Sequence, residues 1–509
     1  MTFEAPGFFD PAAAERFAAR EADWRQGAVV YQVLVDRFAP SADLAAKRAH
    51  YAAPRTLHAW DEDPVRGRYL EAEGVWSHEL AFWGGDLASV RGRLDHLVAL
   101  GVDVLYLNPI HAAFTNHKYD ALDYAAVSPE YGSRADVRAL ALAAHARGLR
   151  LVLDGVFNHV GRRAPWFQEA LADPASPRRS WFFVGPEYRH GYRAWFDAAN
   201  LPELRLEDEG LRARLWGEPD SVVQGYLRDE GVDGWRLDVA FDLGPRYLRE
   251  LTDAAHAARP GSLVLGEVWN YPPPWLDALD GVLNMTFRQA ALALARGDLP
   301  PGACGRALAR LVADAGVDRL LRCWNVLDNH DTPRLATLLP APWQRALAQT
   351  LQVTFPGAPQ LYYGVEAGMA GGEDPENRGP MRWARAAAGE PEFDRLARLL
   401  AVRRARRALR VGDYAPLEAE RLLAFQRATE RARETTLVVL NPGPDAVTET
   451  LLVPDGRLMH GAPLVDLLDG ARFRLDAGLL TLTAPPRSAL VLAPEVPDTV
   501  EYSAWKRVD

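Results

Sequence analysis

The stretch LLRCWNVLDNHDTPR (residues 320–334) decides the fold, because an apolar run ends there in a dense polar group. Leucine, valine and tryptophan predict a buried strand, yet two acids, an amide and an imidazole follow directly, from Asp328 to Asp331. Buried polar groups cost free energy unless other groups pair with them. The strand cannot supply those partners itself, so its end is expected to face side chains from elsewhere in the chain.

Seven other runs resemble the one that contains Trp324. They are short and nearly continuously apolar, which is typical of parallel strands buried on both faces. The eight predicted strands are 29–38, 102–110, 149–157, 232–240, 262–269, 281–287, 320–328 and 359–367. Helical patterns lie between several of them, and one begins at the cap residue Asp86 and ends at Gly101.

This alternation predicts an α/β protein built on a (β/α)8 barrel, the TIM barrel. A doubly wound parallel sheet is the alternative, but no glycine-rich nucleotide motif follows the first predicted strand. The segment after the third strand is too long for an ordinary connection of about 2–6 residues, so it is expected to form a small excursion over the barrel mouth. After about residue 410, short strands follow one another with turn signals and without helices, which predicts an antiparallel β-sandwich.

The predicted domain division follows from these patterns. It comprises an N-terminal extension (1–27), the barrel (28–159 and 207–409), the excursion (160–206), the C-terminal β-sandwich (410–495) and a tail (496–509).

The composition excludes several classes of function. A net charge of −10 argues against a nucleic-acid or anionic-membrane surface, where a basic patch is expected. The sequence contains no run of about 20 apolar residues, so no membrane span is predicted. The N-terminus lacks the pattern of a signal peptide, and two cysteines do not suggest a disulfide framework. These features predict a cytoplasmic enzyme.

Polar residues gather where the strands end, and in a barrel the carboxyl ends of the strands converge on one site. These residues are Asp154, Asn158 and His159 after the third strand, Arg236 and Asp238 on the fourth, Glu267 on the fifth, His330 and Asp331 on the seventh, and Tyr119, Asp374 and Arg378 in loops. Taken singly, each acid is more typical of a cap or turn, and each histidine of a core. Their occurrence together at one rim favours a catalytic site.

The residue types suit glycosyl transfer. That reaction needs a carboxylate nucleophile and a carboxylic acid that protonates the leaving oxygen, about 5–5.5 Å apart when configuration is retained. Asp238 and Glu267 lie on adjacent predicted strands. Arg236 stands two residues before Asp238, so it is expected on the same side of the strand, where it keeps that carboxylate ionised. Asp331 is placed to stabilise the positive charge of the transition state.

Four motifs in this order resemble the signature regions of the α-amylase family, glycoside hydrolase family 13. They are DGVFNH (154–159), GWRLDVA (234–240), GEVW (266–269) and LDNHD (327–331). The resemblance implies that Asp238 is the nucleophile, Glu267 the general acid/base and Asp331 the transition-state stabiliser. It also implies that 160–206 is a B domain and 410–495 a C domain.

The resemblance further implies a set of substrate-binding residues. These are Tyr119, His159, Arg236 and His330 at the reacting sugar, Asp374 and Arg378 at the next sugar on the non-reducing side, and Trp269 as an acceptor-side platform. Within the family, NHKYDALDY (116–124) and LYYGVEAGMAGGEDPENR (361–378) resemble the neopullulanase, cyclomaltodextrinase and maltogenic amylase group.

That group implies a retaining α-glucan hydrolase acting on maltooligosaccharides, cyclodextrins or pullulan. It cleaves α-1,4 bonds, and Val239 after the nucleophile accompanies α-1,6 cleavage in related enzymes. About 28 residues precede the first strand, where the group usually carries a β-sandwich that helps form its dimer, so monomer and homodimer both stay open. Phe241-Asp242 replaces the usual Asn-Glu, so transglycosylation stays open as well.

Three other functions are alternatives to this hydrolase. The first is a transglycosylase or isomerase acting on short α-glucosides such as maltose or sucrose. The second is a non-catalytic barrel scaffold, which would be expected to lack the carboxylates. The third is a metal-dependent phosphohydrolase, which would need further histidine ligands. No cofactor and no required metal are predicted. Calcium-loop acids are mostly missing, and the two that remain, Asp36 and Asp43, are expected at the surface.

Overall fold

The computed structural model describes residues 11–495. Residues 1–10 and the predicted tail 496–509 lie outside the described residues. The described residues begin with helix α1 (Pro11–Ala22), which lies within the range of the predicted N-terminal extension. Arg20 in this helix pairs with Asp413 at 2.7 Å, so α1 is fixed to the start of the C-terminal sheet.

Eight parallel strands form a closed barrel, which confirms the predicted fold class. They are β1 (Val30–Val33), β2 (Val104–Leu107), β3 (Arg150–Gly155), β4 (Gly234–Leu237), β5 (Leu263–Gly266), β6 (Gly281–Val282), β7 (Trp324–Val326) and β8 (Ala358–Tyr362). The hydrogen-bonded order is β6-β5-β4-β3-β2-β1-β8-β7. A parallel bridge between Leu283 and Trp324 joins the two ends of this order and closes the barrel.

Apolar side chains fill the interior of the barrel, as expected for a packed core rather than a pore. This cluster contains Val30, Tyr106, Val152, Leu265, Val326 and Trp324, together with smaller neighbours from the other strands. The ionisable side chains of the site lie in the layer above it, at the carboxyl ends of the strands, whereas Gln360 of β8 stands in register with Val30 and Val326.

The chain contains further helices, most of which cover the outside of the barrel. After α1 they are α2 (Val35–Phe38), α3 (Leu87–Arg91), α4 (Leu94–Leu100), α5 (Arg134–His145), α6 (Pro165–Ala172), α7 (Glu209–Arg212), α8 (Val222–Arg228), α9 (Ala240–Ala258), α10 (Met285–Arg296), α11 (Pro301–Ala315), α12 (Val317–Leu320), α13 (Leu335–Leu338), α14 (Pro342–Thr354), α15 (Pro391–Ala405) and α16 (Arg407–Val411). Asp86 caps α3 by accepting the Ser89 N–H at 2.6 Å. Within residues 11–495, no helix is long and apolar enough to cross a bilayer.

The connection between β5 and β6 departs from the predicted alternation. Residues 267–280 contain a 3₁₀ helix, Pro273–Asp277, in place of an α-helix. Three consecutive prolines, at positions 272–274, explain this difference, because proline has no N–H to donate within a helix.

The barrel strands are also shorter than predicted. The apolar runs continue into residues that are buried beside the strands, for example at the start of α10.

Two long segments lie over the barrel mouth. Residues 39–85, after β1, contain two short strand pairs, Thr56–Leu57 with Ala81–Phe82 and Tyr69–Leu70 with Val75–Trp76. The segment between β3 and α7 contains α6 and isolated bridges such as Phe182–Leu204. It therefore forms a compact unit, although the predicted limits of the domains remain predictions.

The C-terminal part is an antiparallel eight-stranded β-structure, in agreement with the predicted sandwich. Its strands are β9 (Asp413–Leu417), β10 (Leu423–Ala428), β11 (Thr436–Asn441), β12 (Val447–Leu452), β13 (Pro463–Asp466), β14 (Arg472–Asp476), β15 (Leu479–Ala484) and β16 (Ser488–Pro494). Their order is β9-β10-β11-β16-β13-β14-β15-β12. The apolar run FRLDAGLLTL (473–482) is a hairpin, because Ala477 and Gly478 turn the chain with φ of 48° and 85°.

Two buried arginines bind backbone carbonyls close to where the barrel meets the C-terminal strands. Arg403 in α15 donates to the carbonyls of Gly27 (2.8 Å), Gly357 (2.7 Å) and Leu409 (2.8 Å). Arg427 in β10 donates to the Thr354 carbonyl at the end of α14 at 2.7 Å. Both guanidinium groups thus satisfy backbone acceptors that would otherwise be buried without a partner.

Replacement of Arg403 by methionine is expected to destabilise the whole chain. Each carbonyl left without a donor costs about 1–3 kcal/mol, so the total loss should reach roughly 3 kcal/mol or more. Urea and thermal unfolding measure the effect. Arg398→Met is the matched control, since Arg398 is exposed on the same helix. Equal unfolding midpoints for the two variants would contradict this account.

Candidate active site

Arg236 lies at the centre of the site and contacts carboxylates from three neighbouring strands. Its side chain is fully buried on β4. Nη1 donates to Asp154 Oδ1 at 2.9 Å, at the end of β3, and to Asp238 Oδ1 at 3.0 Å, just after β4. Nη2 lies 2.8 Å from Glu267 Oε2, just after β5. Arg236 and Asp238 therefore face the same side, as their spacing predicts.

A second polar group comes from β7 and the loop after β2. The Tyr119 hydroxyl lies 2.6 Å from His330 Nε2 and 3.0 Å from Asp154 Oδ2. His330 Nε2 is also 2.9 Å from Asp331 Oδ2. The Gln32 amide donates to His330 Nδ1 at 2.9 Å, which leaves the imidazole hydrogen on Nε2, facing Tyr119 and Asp331.

The predicted pair Asp374 and Arg378 is brought together beside Asp331. Arg378 Nη1 lies 3.3 Å from Asp374 Oδ2, and Nη2 lies 3.3 Å from Asp331 Oδ1. Arg378 Nε also donates to the His330 carbonyl at 2.9 Å. The guanidinium therefore joins the loop after β8 to the end of β7.

His159 and Trp269 occupy the opposite side of the site. The His159 ring stacks on Trp195 from the segment after β3, with ring centres 5.1 Å apart. Within the described part of the chain His159 Nε2 has no hydrogen-bond partner. Burial lowers the pKa of His159 to about 3, so the imidazole is neutral at pH 7. Trp269 is half exposed, and its indole N–H donates to Glu267 Oε1 at 3.3 Å.

These side chains surround one cavity of about 680 Å³. Eight of the ten predicted site residues line it: Tyr119, His159, Asp238, Glu267, Trp269, Asp331, Asp374 and Arg378. The other two, Arg236 and His330, lie behind the wall and hold the lining carboxylates in place. The structure thus brings all ten residues into one connected group.

Sequence reasoning missed several residues of the cavity wall. They divide into a polar end, where Glu79 and His117 join the predicted Asp374 and Arg378, and an aromatic end, where Trp195, Phe196 and Phe241 join the predicted Trp269. The Trp195 indole donates to Asp242 Oδ2 at 2.8 Å, which connects the segment after β3 to α9. Glu79 and Phe196 belong to loops whose sequence carries no periodic signal, so only the three-dimensional contacts reveal them.

Val239 has a strained backbone at the start of α9. Its φ of 39° is a left-handed conformation that β-branched residues rarely adopt. In this conformation the Val239 N–H donates to Glu267 Oε2 at 3.2 Å. Backbone strain of this kind persists where the surroundings over-determine it, and it is found most often at functional sites.

The polar stretch that follows β7 divides between two tasks. His330 and Asp331 face the site, whereas Asp328 accepts the N–H of Leu335 at 2.7 Å, at the start of α13. Burial raises the pKa of Asp328 to about 6. Asn329 accepts the Asp331 N–H at 3.0 Å, so it fixes the turn that presents Asp331.

The carboxylates of the site differ in their ionisation. Burial raises the pKa of Asp238 well above its ordinary value, and the Glu267 carboxylate adds to this although Arg236 opposes it. Burial would also raise the pKa of Asp331, but the His330 and Arg378 side chains outweigh it and lower that pKa. Asp374 behaves like Asp331, since Arg378 overcomes burial and lowers its pKa to about 2.

A closed (β/α)8 barrel with carboxylates and an arginine at the carboxyl ends of its strands is the arrangement of a barrel glycoside hydrolase. The profile described as "Alpha amylase, catalytic domain" matches residues 32–438. The chain belongs to the alpha-amylase family, as the four motifs predict.

Curated relatives narrow this comparison. The chain is 32% identical to a cyclomaltodextrinase of Geobacillus thermopakistaniensis (strain MAS1), over 93% of this chain and 78% of that protein. It is also 32% identical to neopullulanase 2 of Thermoactinomyces vulgaris, over 92% of this chain and 78% of that protein. The predicted likeness to the neopullulanase and cyclomaltodextrinase group is therefore confirmed.

A solved structure agrees with the fold. The crystal structure of Ttha1563 from Thermus thermophilus superposes with a TM-score of 0.80 and 31% identity, over 93% of this chain and all of that chain (100%).

Asp36 and Asp43, the two remaining acids of the calcium-loop region, differ in their surroundings. Asp36 was expected at the surface, and this expectation is wrong. Its side chain is fully buried and accepts the N–H groups of Trp83 and Gly84 at 3.0 and 2.9 Å. Asp43 is exposed, as predicted. No group of three or more histidine, cysteine or acidic side chains in residues 11–495 has the arrangement of a metal site.

Substitution of the two aspartates should change stability in opposite directions. Asp238→Asn is expected to raise the thermal midpoint at pH 7, because the raised pKa means that ionisation above the ordinary value of 3.8 costs stability. Asp331→Asn is expected to lower the midpoint, because its lowered pKa means that the ionised form stabilises the fold.

Calorimetry at pH 7 and near pH 4 tests this difference. The gain from Asp238→Asn should shrink toward pH 4, where the wild-type carboxyl is protonated. The loss from Asp331→Asn should persist at pH 4, since Asp331 stays ionised until the pH falls below 3.8. Changes of the same sign at pH 7 would refute the assigned ionisation.

Proposed function

We propose that this protein is a retaining α-glucan hydrolase that cleaves α-1,4 bonds in maltooligosaccharides, cyclodextrins or pullulan, and α-1,6 bonds as well. One observation carries the proposal. Two nitrogens of the Arg236 guanidinium contact Asp238 and Glu267, so these carboxylates lie side by side at the base of the cavity. That arrangement favours the short separation that retention requires.

In the first step Asp238 attacks the anomeric carbon of the reacting sugar. A bond forms between that carbon and the Asp238 oxygen while the bond to the leaving oxygen breaks and Glu267 gives its proton to that oxygen. In the second step water attacks the same carbon, Glu267 takes a proton from the water, and the bond to Asp238 breaks. Two inversions leave the α configuration unchanged.

The division of roles sets a requirement for Asp238. Burial raises the pKa of Asp238 well above its ordinary value, and Arg236 opposes this rise without cancelling it. The reaction needs Asp238 ionised against Arg236 and Glu267 as the donor of the proton. Asp331, ionised through His330 and Arg378, stabilises the positive charge that develops on the sugar ring.

The remaining predicted residues act on the substrate in this proposal. Tyr119 stacks on the reacting ring and His159 bonds its hydroxyls, while His330 acts through Tyr119 and Asp331, whose positions it fixes. The unpartnered, neutral His159 Nε2 fits a hydroxyl of the sugar. Asp374 and Arg378 bind the next sugar on the non-reducing side, while Trp269 supports the sugars on the other side.

The proposed substrates follow from the relatives and from the aromatic end. The relatives are named for cyclomaltodextrins and pullulan, and exposed aromatic rings provide apolar faces on which sugar rings stack. Val239 after Asp238 supports α-1,6 cleavage, as in the family resemblance.

The same aromatic end favours a second candidate function, transglycosylation, because a stacked sugar can replace water as the acceptor. Chromatography of the products separates free sugars from longer oligomers.

Three further features stay predictions: a cytoplasmic location, a monomer or homodimer, and activity without a required metal. Light scattering and treatment with a chelator would test the last two.

The stereochemistry of the first product tests the proposed mechanism. Proton NMR of freshly cleaved maltotriose should show the newly formed reducing end as the α anomer first, before its β anomer appears by mutarotation. An initial β product would mean inversion and would exclude double displacement. Asp238→Asn should lower turnover by roughly 10⁴-fold or more, because the covalent step is lost.

The role of Glu267 can be tested with an activated substrate. Glu267→Ala should lose roughly 10³-fold on maltotriose, because the leaving oxygen is no longer protonated. With α-maltosyl fluoride, whose leaving group needs no proton, azide should restore turnover and yield α-maltosyl azide. Asp238→Ala is the matched control and should yield the β azide, since a single displacement then occurs. The same anomer from both variants would contradict the assigned roles.

A further inference from the structure

Trp195 and Asp242 join two distant segments of the chain at the aromatic end of the cavity. Trp195 begins the short turn Trp195–Asp197, in the segment after β3. Asp242 lies in the first turn of α9, shortly after Asp238. The Trp195 indole N–H donates to Asp242 Oδ2 at 2.8 Å, although the two residues are 47 positions apart. This hydrogen bond therefore connects the segment over the barrel mouth to the turn that follows the proposed nucleophile.

The backbone around Asp242 sets the direction of this first turn. Val239 before it has φ of 39°, and Gly244 after it has φ of 76° and ψ of 156°, outside the helical range. The turn is therefore kinked against the long part of α9. At its start the Ala240 N–H donates to the Glu267 carbonyl at 3.1 Å. Contacts at the barrel mouth thus place Asp242, rather than the outer part of the helix.

The turn that carries Trp195 has a strained backbone. Phe196 and Asp197 have φ of 48° and 58°, a left-handed conformation that residues other than glycine rarely adopt. Asp197 Oδ2 accepts a hydrogen bond from Arg189 Nη1 at 2.6 Å, and His190 Nε2 lies 3.0 Å from the Asp197 carbonyl oxygen. Such strain persists only where the surroundings over-determine it. The contacts of Asp197 and of Trp195 hold the two ends of this turn.

Trp195 constrains the imidazole of His159. The two rings stack with centres 5.1 Å apart and an angle of 20° between their planes. The His159 backbone is fixed separately, since its carbonyl accepts the Tyr124 hydroxyl and it forms a bridge with Glu203. The ring itself has Nδ1 at 3.3 Å from the Asn158 amide, and no group in residues 11–495 bonds to its Nε2. Stacking on Trp195 is therefore a main constraint on the orientation of this ring.

We propose that Asp242 is a positioning residue, which holds Trp195 against His159 and thereby keeps His159 in place for the hydroxyls of the reacting sugar. This inference rests on the proposed function, which assigns that contact to His159. Asp242 acts through Trp195 rather than on the reacting bond. Because its carboxylate is charged, its hydrogen bond with the indole is stronger than one between neutral groups.

The exposure of Asp242 separates this role from a contribution to the stability of the fold. Its side chain is exposed, so its removal should change the unfolding midpoint little. A displacement of about 1 Å at a group that contacts the reacting substrate can lower the rate roughly 100-fold. The loss of the hydrogen bond should therefore appear in kcat/KM and not in the unfolding midpoint.

Two substitutions of Asp242 test the proposal with maltotriose as substrate. Asp242→Leu removes the acceptor and should lower kcat/KM about tenfold. Asp242→Asn retains an oxygen that can accept the indole N–H, so its kcat/KM should stay within about threefold of the wild-type value. Asp253→Leu is the matched control, since Asp253 is exposed on α9 and does not line the cavity. Equal losses in the two Asp242 variants, or no loss in either, would overturn the inference while wild-type cleavage still supports the proposed function.

A double-mutant cycle tests whether Asp242 acts through Trp195 and His159. Trp195→Phe keeps an aromatic ring and removes the N–H, so adding Asp242→Leu to this variant should cause no further loss of kcat/KM. In a His159→Ala background, Asp242→Leu should likewise have no additional effect. Losses that multiply in either combination would overturn the inference, because independent sites add their free energies.

Hydrogen exchange measured by mass spectrometry gives a readout that needs no substrate. Peptides that cover residues 194–202 should exchange faster in Asp242→Leu than in the wild-type protein, because the turn loses one of its two attachments. Asp242→Asn and Asp253→Leu should exchange like the wild type. Unchanged exchange in Asp242→Leu would overturn the inference. A wild-type protein that cleaves no α-glucan, yet shows this change in exchange, would instead refute the proposed function and with it the role assigned to His159.

Discussion

The site depends on one buried guanidinium. Arg236 contacts carboxylates that follow three different strands, and it has no exposure to water. A buried charge is tolerated only when it is well paired, and a cluster of carboxylates only when a cation lies among them. The register of β3, β4 and β5 must therefore place these groups within about 3 Å of Arg236. The closed barrel supplies this register, and the catalytic geometry follows from it.

Strain and charge are both concentrated around this cation. Val239 adopts a left-handed backbone that its side chain disfavours, and its N–H then contacts the same oxygen of Glu267 that faces Arg236. The raised pKa of Asp238 and the lowered pKa of Asp331 show that the two aspartates stand in different surroundings. The negative charge of Asp238 therefore destabilises the fold, whereas the negative charge of Asp331 in the same cavity stabilises it.

Apolar composition predicted all eight barrel strands, because each is buried on both faces and contains few polar residues, such as Gln32 in β1 and Gln360 in β8. It overestimated their lengths, since a buried residue just outside a strand has the same composition as one inside. The prolines before Trp275 were visible in the sequence, yet their effect on the β5–β6 connection was not predicted. The short strands β9 and β13 have few residues and mixed burial, so their sequences carry a weak strand signal.

The predicted site residues came from motifs at strand ends, where the topology of a barrel determines which groups meet. The sequence could not show that Arg236 and His330 stand behind the wall, because that depends on side-chain packing. Nor could it show Glu79, whose partner His117 is 38 residues away along the chain. The surface position expected for Asp36 was wrong for a related reason, because its N–H donors, Trp83 and Gly84, are distant in sequence.

The apolar side chains that fill the barrel determine how substrate, product and water enter and leave the site. Because Trp324, Tyr106 and their neighbours fill the interior, the cavity opens at the carboxyl ends of the strands and has no passage through the barrel. The departing sugar and the incoming water must therefore use the same opening, one after the other. A slowly departing sugar would delay the entry of water. In the proposed mechanism, the residence time of that sugar at the aromatic end therefore determines the lifetime of the covalent intermediate.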